Sequence, residues 1–369
     1  VDYDGKKLFN ERETHRFDVL LDLNKHQKQI ELYGAVTEYV RKGFNTAKRS
    51  KNSATGLIMI LFQRLVSSST AAILSAMKGR LERLSYGDDN DVENYSDDID
   101  QFGDEFYEDI DFEGFYQSNN EGFVDEESLL HDLIEKAQDC LNTEADAKAD
   151  ALMDKFIKLQ QEKNDSSLKI LVFTEFRTTQ KMLHNFFTNK GYSCASINGS
   201  QDLDERKKAL SNFKNDAQIL IATDAAGESL NMQFCHVIIN YDLPWNPMMI
   251  EQRIGRVDRI GQKHIVQAFN MLTNNSVDLR VYEVIEEKLN NIIDQLGIDK
   301  TADVLDSAID MKKVNKLYLQ SLLDPDRFEF AGEKWLTEIK SKLRDFQSTE
   351  GVLPQVDENE IESKKASEI

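Results

Sequence analysis

This sequence of 369 residues has little cysteine, and its three cysteines, Cys140, Cys194 and Cys235, are widely separated. No pair has the CxxC spacing, so we predict neither a disulfide framework nor a zinc or other metal site. No window approaches the roughly eighteen consecutive apolar residues of a membrane span, and the chain does not open on a signal segment. These absences exclude a membrane partner and predict a cytoplasmic protein, or a nuclear one in a eukaryote.

Basic residues are missing from one long stretch of the chain. No lysine or arginine occurs between Arg83 and His131, whereas residues 88–127 contain 17 acidic residues. Without those 17 the formal net charge of −21 would be −4, so the acidity does not exclude a nucleic-acid partner elsewhere on the chain. Nine aromatic residues are interleaved with the acidic ones. We assign residues 87–127 as an acidic insertion, either a solvated loop or a segment that docks onto a basic protein partner or mimics DNA.

The residues before position 166 have a mostly helical pattern. Apolar residues recur at helical intervals in four stretches: residues 30–40, 57–65, 72–84 and about Glu127 to Glu162. Residues 8–23 instead have the mixed apolar content of an edge strand. We therefore predict a helical annex with one strand near its start.

From residue 168 the pattern changes to short apolar runs that alternate with amphipathic segments. Five runs are predicted as strands: Lys169–Thr174, Ser193–Ile197, Gln218–Thr223, His236–Asn240 and Ile265–Met271. Helices are predicted between them at Thr178–Lys190, Leu203–Phe213 and Pro247–Val257. This alternation indicates an α/β fold whose parallel sheet is covered by helices on both faces. Ligand sites of such sheets gather beyond the carboxyl ends of the strands, and polar clusters follow four of these runs.

The segment QRIGRVDRIGQ carries Arg253, Arg256 and Arg259 at every third position. In a helical turn this spacing places the three side chains on one side. Guanidinium groups stay protonated and offer a planar fork of donors that matches phosphate oxygens. From these residues alone two interpretations are open: a surface helix with salt bridges to Glu251 and Asp258, or a site that meets a phosphate.

Five segments occur in an order that is more specific than any one of them. They read KILVFTEF, INGS, ILIATDAAGESLNMQ, NYDLPWNP and EQRIGRVDRIGQ, and they lie within residues 168–272. Their order resembles the second RecA-like lobe of superfamily-two helicases, and in detail that of the Swi/Snf-type DNA translocases, especially their bacterial distant branch. Residues 32–33 and 62–69 extend the resemblance into the annex, which in that family lies between the two lobes.

The resemblance implies roles at the nucleotide. Arg256 and Arg259 match arginine fingers that reach across an interdomain cleft to the β- and γ-phosphates of ATP and stabilise the transferring phosphoryl group. Gln252, Gly227 and Asn231 match positions on the nucleotide side of the same site. Arg253 is left as a structural or salt-bridging residue. One departure is Ser229, which stands where many relatives have glycine.

The resemblance also implies contacts to nucleic acid. Thr223 and Asp224 match a motif that touches the nucleic-acid backbone and couples it to the ATP site. Four further residues match positions that contact phosphates of the strand along which the protein moves: Thr174, Asn198, Gly199 and Ser200. Each group also has a purely structural interpretation. Thr223 and Asp224 can cap a helix, and Asn198 with Gly199 can form a tight turn.

The sequence contains neither a GxxxxGK[ST] phosphate loop nor a DExH-like acidic box. ATP and Mg²⁺ would therefore be held mainly by a first RecA-like lobe that acts in cis and is absent from this sequence. The chain begins at Val1 rather than Met, which favours a fragment of a longer protein. We expect the chain alone neither to hydrolyse ATP nor to translocate.

These observations predict four regions: an annex over 1–165, a RecA-like lobe over 166–275, brace helices over 276–354 and a disordered tail over 355–369. The predicted function is the C-terminal lobe of an ATP-dependent translocase on double-stranded DNA that remodels protein–DNA complexes, associated with the nucleoid in a bacterium. Two alternatives remain open, an RNA helicase lobe and a non-catalytic scaffold. The intact arginine segment favours catalysis over the scaffold.

Overall fold

The computed structural model describes residues 12–50, 53–86, 123–224, 231–244, 247–284 and 311–350. Most of the acidic insertion, Gly227 and the charged tail lie outside these ranges. None of the helices within them is long and apolar enough to cross a membrane.

Six parallel strands form one sheet in the order β1-β6-β5-β2-β4-β3. The strands are β1 (Arg12–Val19), β2 (Ile170–Phe173), β3 (Cys194–Ile197), β4 (Ile219–Ala222), β5 (Val237–Asn240) and β6 (Val266–Thr273). The predicted parallel sheet is confirmed, because each of the five predicted runs forms a strand whose ends differ by at most two residues from the prediction.

Helices precede, cover and follow the sheet. Those in the described ranges are α1 (Gln27–Ser50), α2 (Ser53–Ser68), α3 (Thr70–Tyr86), α4 (Glu126–Thr143), α5 (Ala147–Glu162), α6 (Arg177–Asn189), α7 (Leu203–Asn215), α8 (Pro247–Ile254), α9 (Val277–Tyr282), α10 (Met311–Leu323) and α11 (Pro325–Glu350).

The predicted strand near the start of the chain is confirmed as β1, at one edge of the sheet. It pairs with β6 along its whole length, from Arg12 opposite Val266 to Val19 opposite Thr273. Arg12 also forms an ion pair of 2.6 Å with Glu251 of α8. The chain therefore contributes its first strand to the sheet, leaves to build helices α1–α4, and returns at α5.

Both faces of the sheet are buried, as the unbroken apolar runs predict. Ile170 and Val172 of β2 pack with α5 and α6 on one face, where Phe156 is fully buried. Leu171 and Phe173 of the same strand pack on the opposite face with residues of α7 and α8. Two elements within residues 1–165, β1 and α5, therefore share the hydrophobic core of the sheet.

The predicted amphipathic stretch from Glu127 to Glu162 is two helices, α4 and α5, rather than one. The chain extends at Glu144, whose carboxylate accepts hydrogen bonds from the backbone N–H groups of Lys28 and Gln29 at the start of α1. Asp146 then caps α5. The break occurs because two carboxylates satisfy free N–H groups at two different helix starts.

A separate hydrophobic core joins the N-terminal and C-terminal helices. Most of its buried side chains come from α1–α4 and from α9–α11, and Phe176 and Met248 of the sheet lobe also belong to it. Arg41 of α1 donates to the carbonyl oxygen of Leu322 at the end of α10. Of the predicted brace helices over 276–354, the structure describes residues 276–284 and 311–350, and Val277, Val281 and Val284 all lie in this core.

Candidate functional site

The carboxyl ends of the strands bring the predicted polar clusters to one edge of the sheet. Thr174 follows β2, Asn198 follows β3 and Thr223 follows β4. Asp242 lies two residues beyond the end of β5. Because these strands are parallel neighbours, their polar ends face the same side, where ligands of such sheets bind.

Arg253 has a structural role, as predicted. Its side chain is 2% exposed, and its Nε and Nη2 atoms each donate over 2.6 Å to the carboxylate of Asp224. Its Nη1 atom donates to Oδ1 of Asn240 over 3.1 Å and to the carbonyl oxygen of Asp242 over 2.8 Å. Burial is the largest single influence and would lower the pKa of Arg253, but the carboxylates of Asp224, Glu175 and Asp242 together outweigh it and the pKa is raised. Arg253 therefore fastens the end of β4 to the end of β5.

Arg256 and Arg259 lie in the turn that follows α8. The helix was predicted to reach Val257 but ends at Ile254, so the three arginines do not share one helix. Both side chains are partly exposed, in contrast to Arg253. The Arg259 Nε atom donates to the carbonyl oxygen of Gly255 over 3.3 Å.

Gln262 fastens this turn to the segment before β5. Its Nε2 atom lies 2.9, 3.1 and 3.0 Å from the carbonyl oxygens of Gln233, Cys235 and Val257. Gly261 beside it has φ +98°, a conformation that disfavours other residues. Sequence reasoning found Gln262 only as the last letter of a motif, because nothing in the spacing shows which carbonyl groups its amide would meet.

The residues predicted on the nucleotide side fall into three positions. Asn231 is exposed, and the next residue, Met232, donates its N–H to the carbonyl oxygen of Arg256 over 3.2 Å. The structure thus brings Asn231 beside the arginine turn, 25 residues later in the chain. Gln252 is exposed on α8, and Gly227 lies outside the described residues.

The loop after β3 is a tight turn, and it is ordered by its own side chains. The Oδ1 atom of Asn198 accepts from the backbone N–H of Ser200 over 3.2 Å and from its hydroxyl over 2.7 Å. Arg206 of α7 donates to the carbonyl oxygens of Gly199 and Gln201, both over 3.0 Å. Arg206 therefore supports the loop, and Ser200 is left exposed at its tip. The phosphate contacts of this loop stay a prediction.

The other predicted nucleic-acid contacts lie deeper. The side chains of Thr174 and Thr223 are fully buried, and Asp224 is held by Arg253. The hydroxyl of Thr174 donates to the carboxylate of Asp242. In this conformation Thr174 and Asp224 connect strand ends to one another through Asp242 and Arg253. The contacts of these residues with nucleic acid stay a prediction.

A buried charge cluster behind these residues was missed by sequence reasoning. Lys148 of α5 donates to Oδ1 of Asp242 over 3.0 Å, and Arg64 of α2 is paired with Glu175. Burial would raise the pKa of Asp242, but Lys148 and the hydroxyl donors outweigh burial and lower it. Burial raises the pKa of Glu175 to about 7, and Arg64 opposes that rise. No sequence spacing signals these pairs, because Lys148 and Asp242 are 94 residues apart.

Part of this chain is similar to proteins of a known family. Residues 148–261 match the family model of the helicase conserved C-terminal domain. The chain is 42% identical over 122 residues to the uncharacterized ATP-dependent helicase YqhH of Bacillus subtilis, an alignment that covers 33% of this chain and 22% of that protein. It is 30% identical over 156 residues to the human SWI/SNF-related matrix-associated actin-dependent regulator of chromatin subfamily A member 1, covering 40% of this chain and 15% of that protein.

Among solved structures, the chain resembles the C-terminal part of the Fun30 ATPase domain. The two share 17% sequence identity with a TM-score of 0.47, over 86% of this chain and 98% of that one. The chain spans less than a quarter of the length of the two curated relatives.

Proposed function

Since residues 148–261 form a helicase conserved C-terminal domain similar to those of Swi/Snf-type ATP-dependent helicases, we propose that this chain is the second lobe of a DNA translocase. In the natural full-length protein it supplies Arg256 and Arg259 to an ATP site that a first RecA-like lobe completes. The two lobes together move the protein along duplex DNA and remodel protein–DNA complexes.

The division of labour among the three arginines carries this proposal. Arg253 is consumed by a buried ion pair with Asp224, whereas Arg256 and Arg259 are partly exposed on a turn fixed by Gln262. A fixed guanidinium at the surface of a lobe suits an anion that arrives from outside the chain. This arrangement favours a catalytic lobe over a scaffold, which would have no need to fix the turn.

The donors present here fit ATP better than they fit its metal ion. In the part of the chain that the structure describes, no group of three or more His, Cys, Asp or Glu side chains could hold a metal ion. The arginine turn instead offers donors for phosphate oxygens. ATP supplies the phosphoryl group that is transferred to water, and Arg256 and Arg259 stabilise the charge that develops on it.

The nucleic-acid part of the proposal rests on the loop of residues 198–200. Ser200 is exposed at its tip, and on binding its N–H and hydroxyl would exchange Asn198, their partner in this structure, for a phosphate oxygen. Such contacts position a strand without reading its sequence. ATP binding favours the closed arrangement of the two lobes, and hydrolysis lets the lobes reopen. The DNA contacts of the two lobes therefore hold the strand alternately. The human relative is named as a regulator of chromatin, which supports remodelling of protein–DNA complexes as the outcome.

Nucleic-acid stimulation of the natural full-length protein tests this function against an RNA helicase. We expect duplex DNA to raise the rate of ATP hydrolysis by about tenfold or more, which corresponds to about 1.4 kcal/mol of barrier. Steady-state hydrolysis would be measured with duplex DNA, single-stranded RNA and duplex RNA at equal phosphate concentration. Stimulation by RNA alone would contradict the proposal.

A further inference from the structure

The carboxylate of Asp242 is a meeting point of three parts of the molecule. Asp242 is 6% exposed, and its Oδ2 atom accepts from the hydroxyls of Ser68 and Thr174 and from the backbone N–H of Glu175. Its Oδ1 atom accepts from the ammonium group of Lys148. These donors lie on α2, on the loop after β2 and on α5. One side chain therefore connects the annex, a sheet-covering helix and the sheet edge.

On the annex side, the junction between α2 and α3 rests on this part of the lobe. The hydroxyls of Ser68 and Ser69 each lie 2.8 Å from the hydroxyl of Thr179 on α6. Arg64, one helical turn before Ser68, donates to the carbonyl oxygen of Leu243 over 3.2 Å. The annex thus contacts both the side chain of Asp242 and the residue that follows it.

On the lobe side, the backbone of Asp242 is connected to the arginine turn. Its carbonyl oxygen accepts from Arg253 over 2.8 Å, and Arg253 precedes Arg256 by three residues on a helix that ends between them. A shift of the backbone at Asp242 therefore moves the anchor of α8. Because Arg253 is also held by Asp224, the shift cannot be absorbed by a free side chain.

We propose that Asp242 is a positioning residue for ATP hydrolysis. Through Asp242, the contact between the annex and the lobe determines the positions of Arg256 and Arg259. Its charged carboxylate draws Ser68 and Lys148 inward, while its carbonyl oxygen fixes Arg253. This inference rests on the proposed function, because Asp242 can position Arg256 and Arg259 for hydrolysis only if those arginines act on a nucleotide.

The Asp242→Asn substitution in the natural full-length protein tests the lobe side. Asparagine has nearly the same shape as aspartate but lacks the negative charge that pairs with Lys148. Its NH₂ group is a donor, and it would face the donors that now bind the carboxylate. A displacement of about 1 Å at a catalytic group can cost about 100-fold in rate, and we expect kcat to fall by that order. The KM for ATP should change by no more than about threefold, because the first lobe holds the nucleotide.

The Ser68→Ala substitution tests the annex side with a smaller change. It removes one hydrogen bond from the four that the carboxylate of Asp242 accepts, and we expect kcat to fall by about three- to tenfold. The Ser68→Ala/Asp242→Asn double variant should be no slower than Asp242→Asn alone, because both changes break one connection. Should Asp242→Asn fail to fold, the kcat of Ser68→Ala decides the matter.

The matched control is Asp154→Asn, an exposed aspartate on α5 that should keep the wild-type kcat. Each kcat is divided by the folded fraction, measured by circular dichroism at the assay temperature, so that lost stability is not counted as lost catalysis. The inference is overturned by a wild-type kcat in Ser68→Ala or Asp242→Asn, by an effect confined to the KM for ATP, or by additive effects in the double variant. The proposed function fails separately, if Arg256→Ala keeps its turnover.

Discussion

Replacing Arg256 with alanine in the natural full-length protein is expected to lower kcat for ATP hydrolysis by about 10³-fold or more. The guanidinium group is proposed to act on charge that is present in the transition state and much weaker in bound ATP. Its loss should therefore spare nucleotide affinity, measured by titration with a fluorescent ATP analogue. Arg259→Ala is expected to act in the same way, since both residues lie on the turn that Gln262 holds.

Two controls give this result its meaning. Lys158→Ala removes a cation that is 67% exposed on α5 and should leave the rate unchanged. Arg256→Lys keeps the charge but loses the planar fork, so most of the rate should still be lost. A rate for Arg256→Ala within a factor of about three of wild type would show that Arg256 is not an arginine finger.

The Asp224→Ala substitution is expected to damage the fold itself. It leaves Arg253 charged, 2% exposed and without its carboxylate partner, and breaking a buried pair in this way costs about 3 kcal/mol or more. Urea denaturation of this chain, followed by circular dichroism, would measure the free energy of unfolding. Arg256→Ala provides the contrast: we expect Asp224→Ala to lower the free energy of unfolding and Arg256→Ala to lower the rate of ATP hydrolysis.

A double variant separates the pair from its surroundings. Asp224→Ala combined with Arg253→Met removes both charges, so its loss of unfolding free energy should be smaller than the sum of the two single losses. Additive losses, or a loss below about 1 kcal/mol for Asp224→Ala alone, would show that the ion pair does not hold the two strand ends together.

The strands and their order at the site could be predicted because each carries a local signal. Ile170–Phe173 and Ile219–Ala222 are apolar throughout, as strands buried on both faces must be. The edge strand Arg12–Val19 was also found, from its mixed composition. In a parallel sheet, finding the strands fixes the edge at which their carboxyl ends meet, so the location of the candidate site followed as well.

The functions of individual polar residues were harder to predict, because partners distant in sequence decide them. By spacing alone Arg253 and Arg256 are equivalent in the segment QRIGRVDRIGQ, and only the family resemblance separated them. The partners that make Arg253 structural, Asp224 and Asn240, are distant in sequence. The end of α8 at Ile254 was predicted three residues too late, although Gly255, which directly follows it, is a sequence signal of a helix end. The turn beyond it is held by Gln262.

The same limit applies where two helices meet. The break between α4 and α5 depends on Glu144, which satisfies N–H groups more than 110 residues earlier in the chain. The seat of the annex depends on Ser68 and Asp242, which are 174 residues apart. Periodicity describes which face of an element is apolar, and it carries no information about a single carboxylate that several elements share.

We propose that this chain contributes the arginine side of an ATP site whose nucleotide another lobe holds. The most direct measurement compares ATP hydrolysis by this chain alone with hydrolysis by the natural full-length protein, each with Mg²⁺ and saturating duplex DNA. We expect no turnover above background for the chain alone and DNA-stimulated turnover for the full-length protein. Sustained hydrolysis by the chain alone, abolished by Arg256→Ala, would contradict this proposal.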